Sequence, residues 1–363
     1  MNVISYTVRK TTDAEHNSGM PYLTSSMIEA VNTCPRWGIV RNIQRRSFTS
    51  GFRQMALEAG SFMHDIFAAF NFWHLAQSHH DHAVYHAEQL FGKDRFEAIN
   101  FTQYVNTDLD PLTALDQLAY VMSATSDFYD DPNDRNRTLA NLEFAASQLA
   151  VYYLTNHLRF PILVTDDRDP TRPVGIEQSL DVVFECVLED GEVVPIRFIG
   201  LADVVYRNRD TQRVTLGEYK TTSGMNDAWH EAFRTRHQIT AYNGALAAYY
   251  SDGVSFNTIL TGSAIPVRKT TSPVEHFTVS RDEESVKDFL TTALFTQDVI
   301  SKYNNETVVD APMFTHSCNR YFRPCSLLDF CTATSDDRRV MWENMEVETQ
   351  LSPSEMKALL RNS

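Results

Sequence analysis

The chain lacks several things that would have classified it at once. It has no apolar run near the roughly 18 residues a membrane-spanning helix needs. Its start, Met1 to Asp13, mixes Lys, Arg, Thr and Asp with no apolar segment of a secretory leader. Only five of 363 residues are cysteine. In a leaderless chain these read as reduced thiols or metal ligands, not a disulfide framework. Basic residues are in the minority: 32 Lys and Arg against 47 Asp and Glu give a net charge of −15. Such a balance argues against nonspecific coating of nucleic acid. No G-x-x-x-x-G-K-[ST] segment occurs, so any strand unwinding falls to a partner. Repeats and low-complexity segments are also absent. What remains, 43% hydrophobic and 22% charged residues, fits a soluble, cytoplasmic globular protein of one large domain or two ordinary ones.

The first half reads as helical. Ser26-Met27-Ile28-Glu29 has the form of a capping box. Apolar spacing predicts helices over Met55–Trp73, Leu112–Met122 and Leu139–Leu158. After Pro161 the texture changes. Glu177–Val187, Val193–Tyr206 and Val214–Lys220 read as three strands joined by short turns, the first at Asp190-Gly191. A long helical pattern over Asp227–Tyr250 follows, then a strand at Thr258–Ile265 and a helix over Glu283–Tyr303. Ser352-Pro353-Ser354-Glu355 opens a short tail helix.

The strands carry the chemistry. Asp203 closes Gly200-Leu201-Ala202-Asp203. Glu218 and Lys220, two apart on the next strand, share a face. Two converging carboxylates make a hard oxygen site suited to Mg²⁺ or Mn²⁺, with a lysine beside it to serve a water. For an isolated Asp or a bare E-x-K, an ordinary cross-strand pair is the better reading. Four further residues strengthen the pattern. His64 closes Gly60-Ser61-Phe62-Met63-His64 on a helix. Glu177 opens the strand region. Gln238 and Tyr242, four apart, share a helix face.

In this order, G-S-F-M-H, G-L-A-D, E-Y-K and Q-I-T-A-Y resemble the PD-(D/E)XK nuclease superfamily, specifically its RecB-like branch. The resemblance implies an α/β restriction-endonuclease-like core, a mixed sheet flanked by helices. It implies metal binding by His64, Asp203 and Glu218, a water-serving role for Lys220, and support of the site and DNA by Gln238 and Tyr242. Glu177 is a further candidate, placing Lys220 or a second metal. Ala202 stands where the nominal motif has proline.

Cys186 lies in an apolar strand and reads as core. Cys34, in Cys34-Pro35-Arg36-Trp37, precedes the nuclease motifs. Cys318, Cys325 and Cys331 follow them within fourteen residues. Four thiolates suit an iron–sulfur cluster or a structural zinc. The layout resembles the iron–sulfur nucleases of the AddB and CRISPR-associated exonuclease group. Its Cys318-x6-Cys325 gap is wider than usual there and is closer to phage-type relatives, which leaves zinc as the alternative. The resemblance thus implies a [4Fe-4S] cluster acting as a staple between the two ends of the nuclease region.

No acidic residue lies between Glu29 and Glu58. That window holds Arg36, Arg41, Arg45, Arg46 and Arg53, with Trp37 and Phe52 among them. Arg234, Arg236 and His237 precede Gln238, and Arg320 and Arg323 lie among the cysteines. Such arginines either bind phosphates or form a solvated face. The expected layout is residues 1–160 helical, 161–305 nuclease core, 306–335 cysteine segment and 336–363 tail. The expected activity is metal-dependent exonuclease or end-processing cleavage of DNA, as single strands or duplex ends, in a bacterial, archaeal or phage-infected cell. The alternative is a catalytically weak, iron–sulfur DNA-binding subunit of a repair, recombination or CRISPR adaptation complex. A homo-oligomer is compatible with either.

Overall fold

A computed structural model describes residues 2–47, 55–106, 108–128, 130, 137–209, 211–222, 224–250, 253–265, 274–304, 311–314, 317–320 and 323–347. The tail helix expected at Ser352, along with Phe52 and Arg53, lies outside them. Among the described residues no helix is long and apolar enough to cross a membrane.

A mixed seven-stranded sheet is flanked by helices. Its strands are β1 (Val3–Lys10), β2 (Tyr22–Leu23), β3 (Ile176–Leu188), β4 (Val193–Arg207), β5 (Val214–Thr222), β6 (Val254–Ala264) and β7 (Val274–Ser280). The order is β1-β3-β4-β5-β6-β7, with β2 pairing alongside β4. The expected meander is β3-β4-β5, antiparallel throughout. The β3–β4 turn uses Gly191 at φ +85°, a conformation glycine adopts without a Cβ penalty, and the Asp190 side chain accepts the Glu192 N–H at 3.0 Å. β5 and β6 are parallel, which requires a crossover of helix length.

The main helices are α1 (Ser25–Thr33), α2 (Met55–Ala76), α3 (His80–Phe91), α4 (Pro111–Ala124), α5 (Leu139–Asn156), α6 (Asp227–Arg234), α7 (His237–Leu246), α8 (Glu283–Tyr303) and α9 (Ser335–Glu343). One apolar cluster joins α2, α4 and α5 to sheet residues Val204, Tyr206 and Tyr219. A second joins α7 and α8 to Leu180, Val182, Phe184 and Phe198. The sheet is therefore covered by different helices in two separate cores.

Three expectations need correction. The start of the chain is not helical: Val3–Lys10 is an antiparallel edge strand running from Val3 opposite Leu188 to Lys10 opposite Val182. The cap of α1 is Thr24, whose side chain accepts the Met27 N–H at 3.2 Å, so the helix starts earlier than the Ser26 box implies. The Asp227–Tyr250 pattern is two helices. Arg236 is extended, and Arg281 donates to the Phe233 carbonyl at 2.7 Å, satisfying the end of α6 before α7 begins.

Candidate metal centre and cysteine cluster

The α2 helix brings His64 to the sheet because Phe67, three residues on, stacks on Tyr219 at 4.7 Å. The edge of the His64 ring meets the same tyrosine at 5.3 Å. The β4–β5 register, with Val204 opposite Gly217, sets Asp203 opposite Glu218. The β3–β4 register, with Ile176 opposite Val204 and Gln178 opposite Ala202, sets Glu177 opposite Asp203 on the other side. Three strands and one helix thus converge.

His64, Glu177 and Asp203 each offer a ligand atom, all within 4.8 Å of one another. His64 Nδ1 lies 3.3 Å from Asp203 Oδ1. Asp203 Oδ2 accepts the Tyr219 backbone N–H at 2.6 Å, fixing the carboxylate. Glu177 is buried, with φ +49°. A non-glycine residue in that region carries strain of about 1–3 kcal/mol and persists where its surroundings over-determine it. No motif singles out Glu177 as strongly as Asp203; its place in the trio follows from strand register, which the sequence does not spell out.

Glu218 is buried beside this group. Its Oε1 accepts from the Lys220 ammonium and, at 2.7 Å, from Gln238 Nε2. Its Oε2 is buried with no hydrogen-bond partner among the described residues. An orphaned carboxylate oxygen is costly in a protein interior, and a cation is the partner such an atom suits. One imidazole and three carboxylates form a donor set for Mg²⁺ or Mn²⁺. Tyr242 accepts from Gln238 Nε2 at 3.3 Å and from Leu201 N at 3.4 Å, linking α7 to the Gly200–Asp203 segment.

The electrostatics follow from burial and proximity. Burial and the Asp203 charge push Glu218 up to about 7. Burial opposes the Asp203 carboxylate, yet His64 and Lys220 hold it below its usual value. Burial likewise opposes the His64 and Lys220 cations, yet neighbouring carboxylates raise both: Asp203 for His64, Glu218 and Asp203 for Lys220.

Cys186 is buried in the second core, and burial pushes its thiol up to about 12. The other four thiols share one neighbourhood, though among the described residues no three of them come within ligand distance of one another. Burial raises Cys325 and Cys331, and both feel Cys34; Cys325 also feels Cys318. Backbone contacts set this up: Cys325 N donates to the Cys318 carbonyl at 2.7 Å, and Arg36 N to that of Pro312 at 3.2 Å. An apolar cluster of Val31, Ile39, Val40, Leu327, Phe330 and Trp342 packs against Cys325 and Cys331.

The arginines divide. Arg36 Nε donates to the Ala311 carbonyl at 3.0 Å. Arg46 donates to the Trp342 carbonyl at 3.3 Å and lies 4.3 Å over that ring. Both therefore tie the segment after α1 to residues late in the chain, Ala311 and Trp342. Arg41 reaches the Arg46 carbonyl at 3.5 Å, and Arg45 is half-buried at φ +53°. Arg236 is exposed over Phe233, and Arg234 is exposed beside Glu231. His237, half-buried, leads into Gln238.

No protein-family model matches the chain, and no curated protein matches it. Among solved structures, a chain from Eubacterium rectale described as "Putative exonuclease" is similar at 9% identity and a TM-score of 0.40, covering 90% of this chain and 99% of that one.

Proposed function

We propose that the protein is a metal-dependent deoxyribonuclease of the RecB-like PD-(D/E)XK kind, hydrolysing phosphodiester bonds at strand ends. The observation that carries this reading is the convergence of His64, Glu177 and Asp203 beside the partnerless Glu218 Oε2 and Lys220. His64, Asp203, Glu218 and Glu177 are the residues that would hold Mg²⁺ or Mn²⁺. When bound, the ion supplies a lowered water pKa and charge stabilisation at the phosphate.

Glu218 and Asp203 raise the Lys220 pKa against the effect of burial. In this place the lysine would position the attacking water and counter charge on the phosphoryl oxygens. Gln238 anchors Glu218, and Tyr242 anchors the strand bearing Asp203. Arg41, Arg45 and Arg236, with Gln238, are proposed to contact the DNA backbone. Arg36 and Arg46 serve it through the segment they hold. Cys34, Cys318, Cys325 and Cys331 are proposed to bind an iron–sulfur cluster that acts as a staple, without redox chemistry; their shared electrostatic neighbourhood supports this.

Manganese titration followed by electron paramagnetic resonance tests the centre. Stoichiometric binding lost in Asp203→Asn, together with loss of DNA cleavage, is the expected result. Equal binding and cleavage by that variant would overturn the assignment.

A further inference from the structure

A cleft of about 1240 Å³ opens beside Glu177. It runs between α3, the start of β3 and the end of β1. Glu177 is both a wall of this cleft and a member of the trio with His64 and Asp203. A molecule filling the cleft therefore reaches the proposed reaction centre.

The lining has a definite chemistry. Tyr85, Tyr249 and Tyr250 bring rings, and Gln89, Gln178 and Thr171 bring amides and a hydroxyl. Tyr85 is 37% exposed, so part of its ring is open to a stacking partner. Gln178 is 6% exposed, and its Oε1 accepts the Tyr250 hydroxyl at 2.6 Å. That bond fixes the amide at the cleft wall. An oriented amide at the wall of a cleft points to a ligand with hydrogen-bonding edges.

Charge decides which part of a nucleotide fits. The cationic walls are Lys10 and Arg172, and Arg172 is paired with Asp169. Against them stand Asp13, Asp166, Glu177 and Asp181, the last neutralised by the buried Arg197. There is no surplus of positive charge to grip phosphates. Rings, amides and hydroxyls instead suit the base and sugar, by stacking and edge hydrogen bonding. A paired base has its edge occupied and its faces stacked, so only an unpaired nucleotide can enter.

Resting on the nuclease reading above, we infer that this cleft seats an unpaired nucleobase next to the scissile phosphate. Tyr85 stacks on the base and Gln178 reads its edge, while the phosphate lies towards Glu177 and His64.

The test uses the full-length protein and two labelled strands of equal length, oligothymidylate and its abasic counterpart. Fluorescence anisotropy in chelator measures binding, and cleavage in Mn²⁺ is read in parallel. Wild type is expected to bind oligothymidylate about tenfold more tightly than the abasic strand. Tyr85→Ala, an exposed substitution that spares the core, and Gln178→Leu are expected to erase most of that preference. Equal binding of both strands by wild type, or a preference unchanged in Tyr85→Ala, overturns the inference. If wild type cleaves both strands equally well, only the base-binding cleft fails. If it cleaves neither, the nuclease reading fails, whatever the binding preference in chelator.

Discussion

Gln238 donates to Glu218 Oε1 at 2.7 Å, from a helix to a neighbouring strand, while Glu218 Oε2 is buried without a partner among the described residues. One oxygen is thus oriented by the protein and the other presented. Groups that orient a metal ligand typically contribute 10–100-fold in affinity. Gln238→Ala is therefore expected to weaken Mn²⁺ binding at least about tenfold while leaving the circular-dichroism spectrum unchanged. Calorimetric titration measures it, and an unchanged dissociation constant would count against the orienting role.

A Cβ built on Gly200 comes within 2.5 Å of Tyr242 Cε1. Gly200→Ala must displace the tyrosine or the strand, at a cost of about 1–3 kcal/mol for overpacking. In Gly200→Ala/Tyr242→Ala the clash is gone, so the two losses are expected to be less than additive. Denaturant unfolding of the four proteins measures the coupling, and strict additivity would contradict this contact.

That contact also indicates how much could be read in advance. Gly200 and Tyr242 belong to separate motifs whose order is visible in the sequence, as are β3, β4, β5 and α8, because alternation and helical period are strong there. β1 was hidden because an edge strand with one half-exposed face gives a diluted pattern. The break between α6 and α7 is held by Arg281, far away in the chain, donating to the Phe233 carbonyl. Glu177 is a candidate in the sequence, but its grouping with His64 and Asp203 follows from strand register. The cleft tyrosines carry no local signal at all, since α3 and β3 meet only in the fold.

Acid should destabilise the protein through His157. This ring is buried, with Nδ1 3.1 Å from Tyr206 Oη and Nε2 3.1 Å from Thr261 Oγ1. Burial, then the neighbouring His276, lowers its pKa to about 3. An unfolded chain takes up that proton near the ordinary value of about 6.5. Between the two values the unfolded state binds more protons, so stability falls as pH drops from about 6.5 towards 3 and is flat above. The contribution is on the order of 4 kcal/mol over that range. His157→Asn should start less stable at neutral pH but show a shallower acid slope. An identical slope in the variant would contradict the assignment.

The proposed four-cysteine site predicts a specific pattern of loss. Cys331→Ala is expected to lose the visible absorption of anaerobically purified protein, to melt at lower temperature and to be less soluble. Its cleavage rate per folded molecule should change little. Cys186→Ala should keep the absorption, because that thiol lies in the other core. Colourless wild-type protein containing zinc would replace the cluster with a zinc staple. Unchanged melting of Cys331→Ala would remove the staple altogether.

The central claim is metal-dependent cleavage at the His64–Asp203–Glu218–Lys220 centre. Its most direct test is hydrolysis of single-stranded and blunt duplex DNA in Mn²⁺ by reduced, cluster-loaded protein, wild type against Lys220→Ala. Wild type should cleave, chelator should abolish cleavage, and an equally folded Lys220→Ala should be slower by at least about 100-fold. Wild-type protein that leaves both substrates intact, or a Lys220→Ala variant that cleaves at the wild-type rate, would contradict the account.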